Sequence, residues 1–341
     1  MAPSYSFHLH AASSHLFWSN AITPALRIPS GAEVTLDLPD GGGNQITPEK
    51  AAAGTALRDF DFAKADPAVG PLYVEGAEPG DVLRVDILDV QPSMGYGWTA
   101  VFPDFGILNE DVEFKEPTLR IWDLKTAKAD GHIVFRAANP RILVPYAPFL
   151  GVVGIAPAAP GELPTVPPMP ETGGNIDTKY LTAGSSLYLP VKVAGALLSC
   201  GDAHAAQGDG EVCGMAVEMP ARARIRATVE KGKTWVKGPW VLTAPTSTST
   251  PSSTKAAEEA EGGKAEDEGR EYMCLGIDSD LREATRKAVR GVVDWLAAEK
   301  GLARVEAYML TSVAGNLKMC EVVDMPNYAI GCSIPLSIFV S

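Results

Sequence analysis

Between Gly201 and Glu211 the chain carries three carboxylates (Asp202, Asp209 and Glu211), one imidazole (His204) and one carboxamide (Gln207), separated only by glycine and alanine. This segment follows the apolar run from Val193 to Leu198, so backbone leaving a buried strand turns at once into groups that bind cations and move protons. In extended chain alternate side chains share a face, which pairs Asp202 with His204 and Asp209 with Glu211. The glycines at 208 and 210 let both pairs turn toward a common centre. Convergent carboxylate and imidazole suit Zn²⁺, and the additional oxygens also admit Ca²⁺ or Mg²⁺. A polar loop with Asp-capped turns and a hydrogen-bonded His accounts for the same spacing, because no CxxC, HExxH or pair of histidines accompanies it.

The elements that must hold these groups read mainly as strands. Glu33 to Leu38 follows a turn at Pro29-Ser30-Gly31, Val82 to Val90 alternates after the Pro79-Gly80 turn, and Arg222, Arg224 and Arg226 recur at period two. Those arginines define a solvated strand face. Pro157 to Pro170 is extended by its prolines and leads directly into Gly173-Gly174-Asn175-Ile176-Asp177, either as an ordered ramp or as a sub-boundary near 157–170 of an otherwise single unit spanning 1–341. The segments at Met94 to Thr99 and Phe102 to Gly106, aromatic and rich in glycine, either line a small-ligand pocket or pack over the core. Residues 243–270 are low in complexity and cannot bury enough apolar area to offset their ordering entropy, which predicts a mobile insertion in a β-hairpin. A helix is predicted from Asp278 to Lys300, with Leu281, Thr285, Ala288, Val289, Val292 and Leu296 on one side and Gly301 as its stop, and a second from about Ala303 to Ser312.

The 341 residues are 46 % hydrophobic, enough for a sizeable core, yet no apolar run approaches the ~20 residues of a membrane helix. Lys and Arg total 29 against 42 acidic residues, and the resulting charge of −13 disfavours nucleic acid or an anionic membrane surface as partner. Five cysteines without short paired spacing fit reduced thiols, and the first residues lack a basic stretch followed by an apolar one, so the cytoplasm is the expected compartment.

GGNIDTKYLTAGSSLYLPV from 173, followed by GALLSCGDAHAAQGDGEVCG from 195, closely resembles the acetamidase/formamidase family of amide hydrolases, which includes γ-lactamases. Phe17-Trp18, the stretch 70–92, 148–157 and 306–324 extend the resemblance over most of the chain. It implies a mainly β sandwich with a late C-terminal helical layer. It also implies metal-dependent hydrolysis of the C–N bond of a small neutral amide, formamide- or acetamide-like or a γ-lactam, to carboxylate and ammonia. Carried over by motif and chemistry, Asp177, Asp202 and His204 stand at or beside a metal ion, with zinc the first expectation. Glu211 is the proton carrier, and Gln207, Asp209 and Asn175 orient substrate or ligands.

Glu75, where a strand meets a turn, is a secondary candidate for substrate contact, against a plain surface carboxylate. His8 and His10 share a strand face and His15 precedes Phe17-Trp18; a solvated N-terminal strand explains the first two without a metal. His132, lone among apolar residues, reads as structural. Two other functional classes compete: a thiol amidase using Cys200, and a non-catalytic binding protein whose sandwich is stapled by metal. Exposed strand edges favour self-association into a homo-oligomer.

Overall fold

The computed structural model describes residues 7–245 and 269–340. Two nine-stranded sheets dominate. The first runs in the order Phe7–Leu9, Ala32–Leu38, Ala221–Glu230, Val82–Pro92, Ser186–Pro190, Trp240–Leu242, Glu271–Asp278, Tyr328–Pro335, Asn316–Glu321. The second is built around Leu198–His204, which is flanked by Phe149–Gly154 and Glu218–Met219 and also pairs with Ala68–Val74. The first sheet therefore draws strands from both ends of the sequence, whereas the second is built only from strands between Ser14 and Met219.

The alternation read from the sequence explains why the sheets stack. Val34, Leu36, Val85, Ile87 and Ile225 project from the first sheet into one continuous apolar core with Leu150, Val153, Leu198, Cys200, Ala203 and Met219 of the second. The opposite side of Ala221–Glu230 carries Arg222 and Arg224 into solvent, which is the predicted period-two face. A sandwich results, covered on the first sheet's outer surface by the helices Leu281–Lys300 and Arg304–Ala314. Tyr188, Trp235, Trp240 and Tyr272 meet Ala288, Val292, Trp295 and Leu296 in this second core.

The long helix is capped as predicted, by the Asp280 side chain on the Glu283 N–H and by Gly301 at φ +68°. Its buried stripe begins at Ala284 rather than at Leu281 and Thr285; Leu281 is 40 % exposed. The Pro-rich stretch is held as a ramp: Leu163–Pro164 pairs with Phe17–Trp18, and the Thr165 N–H donates to the Leu16 carbonyl. Trp240–Leu242 and Glu271–Asp278, on either side of the low-complexity segment, pair antiparallel. The predicted mobility of that segment falls largely on residues 246–268, outside the described residues. Among the described residues no helix is long and apolar enough to cross a membrane.

Candidate active site

The strand Leu198–His204 delivers Asp202 and His204 to the end of the sandwich core, and the turn that follows returns Glu211 to the same place. These residues line a cavity enclosing about 50 Å³, together with Asn175, Asp177, Asp66, Glu218 and Asp324 on its polar side. Phe60, Phe62, Phe105, Met215 and Val166 form its apolar wall. Eight non-glycine residues among those described have positive φ, and four of them are carboxylates of this cavity: Asp66, Asp177, Asp202 and Glu211. Backbone strain of this kind costs on the order of 1–3 kcal/mol per residue and persists only where the surroundings over-determine it. Here it aims carboxylates inward that regular strand geometry would send elsewhere.

His204 is the centre of the arrangement. Its Nδ1 lies 2.9 Å from Gln207 Oε1, and the Gln207 amide in turn donates to the Asp177 carbonyl at 2.7 Å. A carbonyl oxygen can only accept, so Nδ1 carries a proton, and Nε2 is left to take either a second proton or a cation. That Nε2 lies 3.0 Å from both Asp202 Oδ2 and Glu218 Oε2 yet makes no hydrogen bond of acceptable geometry. A lone pair facing two carboxylate oxygens is repulsive unless a proton or a cation lies between them.

Other atoms point to the same need. Both Asp177 carboxylate oxygens and Asp202 Oδ1 are buried without a hydrogen-bond partner. The donors fall into three overlapping groups, Asp177/Asp202/His204, His204/Glu211/Glu218 and Asp177/Glu211/Asp324, each with ligand atoms within 4.8 Å of one another. Two glycines make space for them: a Cβ at Gly151 would stand 2.2 Å from Asp177 Oδ1, and one at Gly41 2.4 Å from Asp202 Oδ1. The residues present thus fit a divalent cation, with imidazole and carboxylate as its donors.

The electrostatics of the unliganded cage describe the same frustration. Burial and neighbouring carboxylates push Asp66, Asp177, Glu211 and Asp324 well above the carboxylate range. Burial takes Glu218 to about 8, Glu321 to about 7 and Asp40 to about 6. For His204, burial alone would lower the pKa, but Asp202 and Glu218 outweigh it and hold the imidazole well above its ordinary value. Asp202 is the exception: burial would raise it, and the charge of a protonated His204 beside it keeps it low.

Of the residues expected from the sequence, Asp177, Asp202, His204, Glu211 and Asn175 meet in the cavity. Asn175 donates to Asp324 Oδ2 at 2.9 Å and to the Val166 carbonyl at 3.0 Å, so the Pro-rich ramp is part of the cavity wall. Gln207 stands behind His204 rather than in the cavity. Asp209 does not join Glu211: it points to the surface, 3.3 Å from Lys179 Nζ and accepting from the Tyr180 hydroxyl at 3.2 Å. Alternation fails there because Gly210 and Glu211 both take positive φ. Glu75 is exposed and lines no part of the cavity; its strand ends on the far side of the core from the carboxylates. His15 is taken by Ser199 Oγ at 2.9 Å.

Glu218, Asp66 and Asp324 are the cavity residues that the sequence reading did not single out. Glu218 had a signal, a lone carboxylate inside the apolar run Met215 to Pro220. Asp324, between Val322-Val323 and Met325-Pro326 at the end of the stretch 306–324, carried the same signal, and Asp66, between Ala65 and Pro67, a weaker one. Cys200 packs in the core and lines no part of the cavity, and burial raises its thiol to about 12.

Comparison with known proteins gives the family. The model of the Acetamidase/Formamidase family matches residues 3–164 and 159–341. A formamidase of Methylophilus methylotrophus is 28 % identical over 95 % of this chain and 89 % of its own. An acetamidase of Mycolicibacterium smegmatis is 30 % identical over 67 % of this chain and 69 % of its own. The crystal structure of an acetamidase from Bacillus halodurans superimposes with a TM-score of 0.81 at 29 % identity, covering 98 % of each chain. The chain belongs to the acetamidase/formamidase family.

Proposed function

We propose that this protein hydrolyses the C–N bond of a small neutral amide, releasing ammonia and a carboxylate, with a divalent cation held by Asp177, Asp202, His204 and Glu218. The single observation that carries the cation is His204 Nε2, buried 3.0 Å from two carboxylate oxygens without a hydrogen bond. Zinc suits the imidazole best, and Ca²⁺ or Mg²⁺ suit the carboxylates. When bound, such an ion polarises a carbonyl and lowers the pKa of water toward ~7.

The chain's own residues supply the remainder. Gln207 fixes the ring of His204 in the tautomer that presents Nε2. Glu211 sits where two donor groups overlap and serves as proton carrier: it takes a proton from the attacking water and returns it to the departing nitrogen as the C–N bond breaks. The Asn175 amide, held by Asp324 and Val166, fixes the carboxylate beside it and leaves its own Oδ1 unpartnered in the buried wall. Phe60, Phe62, Phe105 and Met215 receive the apolar end of the amide and keep bulk water out. The narrowness of the cavity, about 50 Å³, and its aromatic wall make formamide and acetamide the first substrates to test, with larger amides and a γ-lactam requiring the wall to move.

The test is ammonia release from formamide, acetamide, propionamide and a γ-lactam, before and after chelation, with elemental analysis of the same sample. Release that vanishes with the metal and returns on adding it back is the expected result. No release from any amide, with a melting temperature lowered by chelation, would instead leave a metal-stapled binding protein.

A further inference from the structure

We propose that His8, His10 and Asp37 form a second divalent-metal site, on the outer edge of the first sheet and separate from the cavity, suited to a borderline ion such as Zn²⁺ or Cu²⁺. The site follows from strand register. His8 and His10 are two residues apart and so share a face, and Phe7–Leu9 runs parallel to Ala32–Leu38 with His8 opposite Thr35. Asp37, two residues beyond Thr35, is thereby brought level with the second imidazole.

Both rings converge on one oxygen: His8 Nε2 and His10 Nδ1 each lie 2.9 Å from Asp37 Oδ2, and all three donor atoms are within 4.8 Å of one another. Donors in a tetrahedral shell with ~2.0 Å bonds stand about 3.3 Å apart, so each imidazole nitrogen needs to draw back from the carboxylate oxygen by only a few tenths of an ångström. The other oxygen of Asp37 accepts from Arg222 Nε at 2.8 Å, which fixes the plane of the carboxylate as outer partners of metal ligands do. With side-chain exposures of 36 %, 70 % and 25 % for His8, His10 and Asp37, the remaining coordination positions are open to water.

Two imidazoles and a single carboxylate select against Ca²⁺ and Mg²⁺, which require more oxygens. None of the three residues lines the cavity. A bound ion would tie Phe7–Leu9, an edge strand of three residues, to its neighbour Ala32–Leu38.

The experiment counts Zn²⁺ equivalents bound per chain, by calorimetric titration of chelator-stripped protein, for the wild type and for the double variant His8→Ala/His10→Ala. The wild type should bind one equivalent more, and Cu²⁺ added to it should give a nitrogen-coordinated electron-paramagnetic-resonance signal that the double variant lacks. His10→Ala alone, at a well-exposed position, should weaken the additional site at least tenfold and serves if the double variant melts early. Equal stoichiometry and identical Cu²⁺ spectra for wild type and variants would reduce the cluster to a hydrogen-bonded surface pair. Because the readout is a difference at residues outside the cavity, it stands whether or not the cavity holds metal.

Discussion

The cage around His204 and the cluster around Asp37 use the same donor types at the same spacings, with imidazole nitrogens about 3 Å from carboxylate oxygens. Their surroundings differ. Asp37 keeps contact with water and Arg222, and its hydrogen bonds from Arg222, His10 and His8 outweigh slight burial to hold its carboxyl below the ordinary value. Around His204 the donors of the three groups are 7 % exposed or less, no arginine or lysine among the described residues lines the cavity, and most carboxylates are pushed upward. A charge in water can be satisfied by almost any partner, whereas a buried one must find its partner in the fold or bind it. On the readings proposed above, an ion is optional for the exposed cluster and is the partner that the buried cage calls for.

The strongest way to break that comparison is Glu211→Gln. The change is nearly isosteric and removes only the ability to carry a proton, so turnover should fall by about 10²–10⁴-fold, as for other general bases. The buried carboxyl is costly to ionise, so the metal-free variant should melt no lower than the wild type. Steady-state ammonia release and a melting curve on one preparation check both halves. Activity within a few-fold of wild type would remove Glu211 from the chemistry.

Protons sharpen the comparison next. Glu218 at about 8, Glu321 at about 7 and Asp40 at about 6 hold protons in the folded state that the unfolded chain has already released above its ordinary carboxylate pKa of ~4. His204, also raised, acts in the same direction. The folded metal-free protein therefore binds more protons, and its stability must fall as pH rises from about 5 to 8, by up to roughly 1 kcal/mol per group per pH unit. Asp202 and Asp37 are lowered, so their contribution is complete above pH ~4 and is lost only in acid. Denaturant unfolding of chelated protein across that pH range should show the decline, and metal-loaded protein should not, since a cation favours the ionised carboxylates. A flat profile after chelation would mean the cage ionises freely and needs no cation.

What the sequence disclosed follows the same division. Alternation in Ala32–Leu38, Val82–Pro92 and Ala221–Glu230, and the caps of Leu281–Lys300, are local properties, and they read correctly. Asp202 and His204 were legible because they lie two residues apart on one strand. Asp177 came from motif resemblance; Glu211 was reached through the turns at Gly208 and Gly210, and its role through resemblance, although Asp177, Asp202 and Glu211 all take positive φ outside regular strand period. Asp66 and Asp324 lie far apart in the chain, so their convergence on one cavity is a tertiary property that no local pattern announces. Asp209 misled for the converse reason: its spacing from Glu211 suited a shared face, and the turn at Gly210 placed the two on opposite sides.

The smallest expected effect concerns Cys200, which is as buried as the cage but converges on nothing. It lies on the same strand as Asp202 and His204, faces the apolar core, and has a thiol raised to about 12 by burial. Such a thiol is almost wholly protonated at neutral pH and cannot attack a carbonyl. Cys200→Ala removes one sulfur from the core, so it should cost about 1 kcal/mol of stability and leave turnover within about twofold, a change that needs less than ~0.5 kcal/mol in the barrier. Alanine is preferred to serine because a hydroxyl unsatisfied at this depth costs a further ~1–3 kcal/mol and would confuse loss of fold with loss of chemistry. Ammonia release at saturating amide, with unfolding measured on the same sample, separates the readings. Abolished turnover in a stably folded variant would make the thiol the nucleophile, and would show that burial without convergence can still mark a reacting atom.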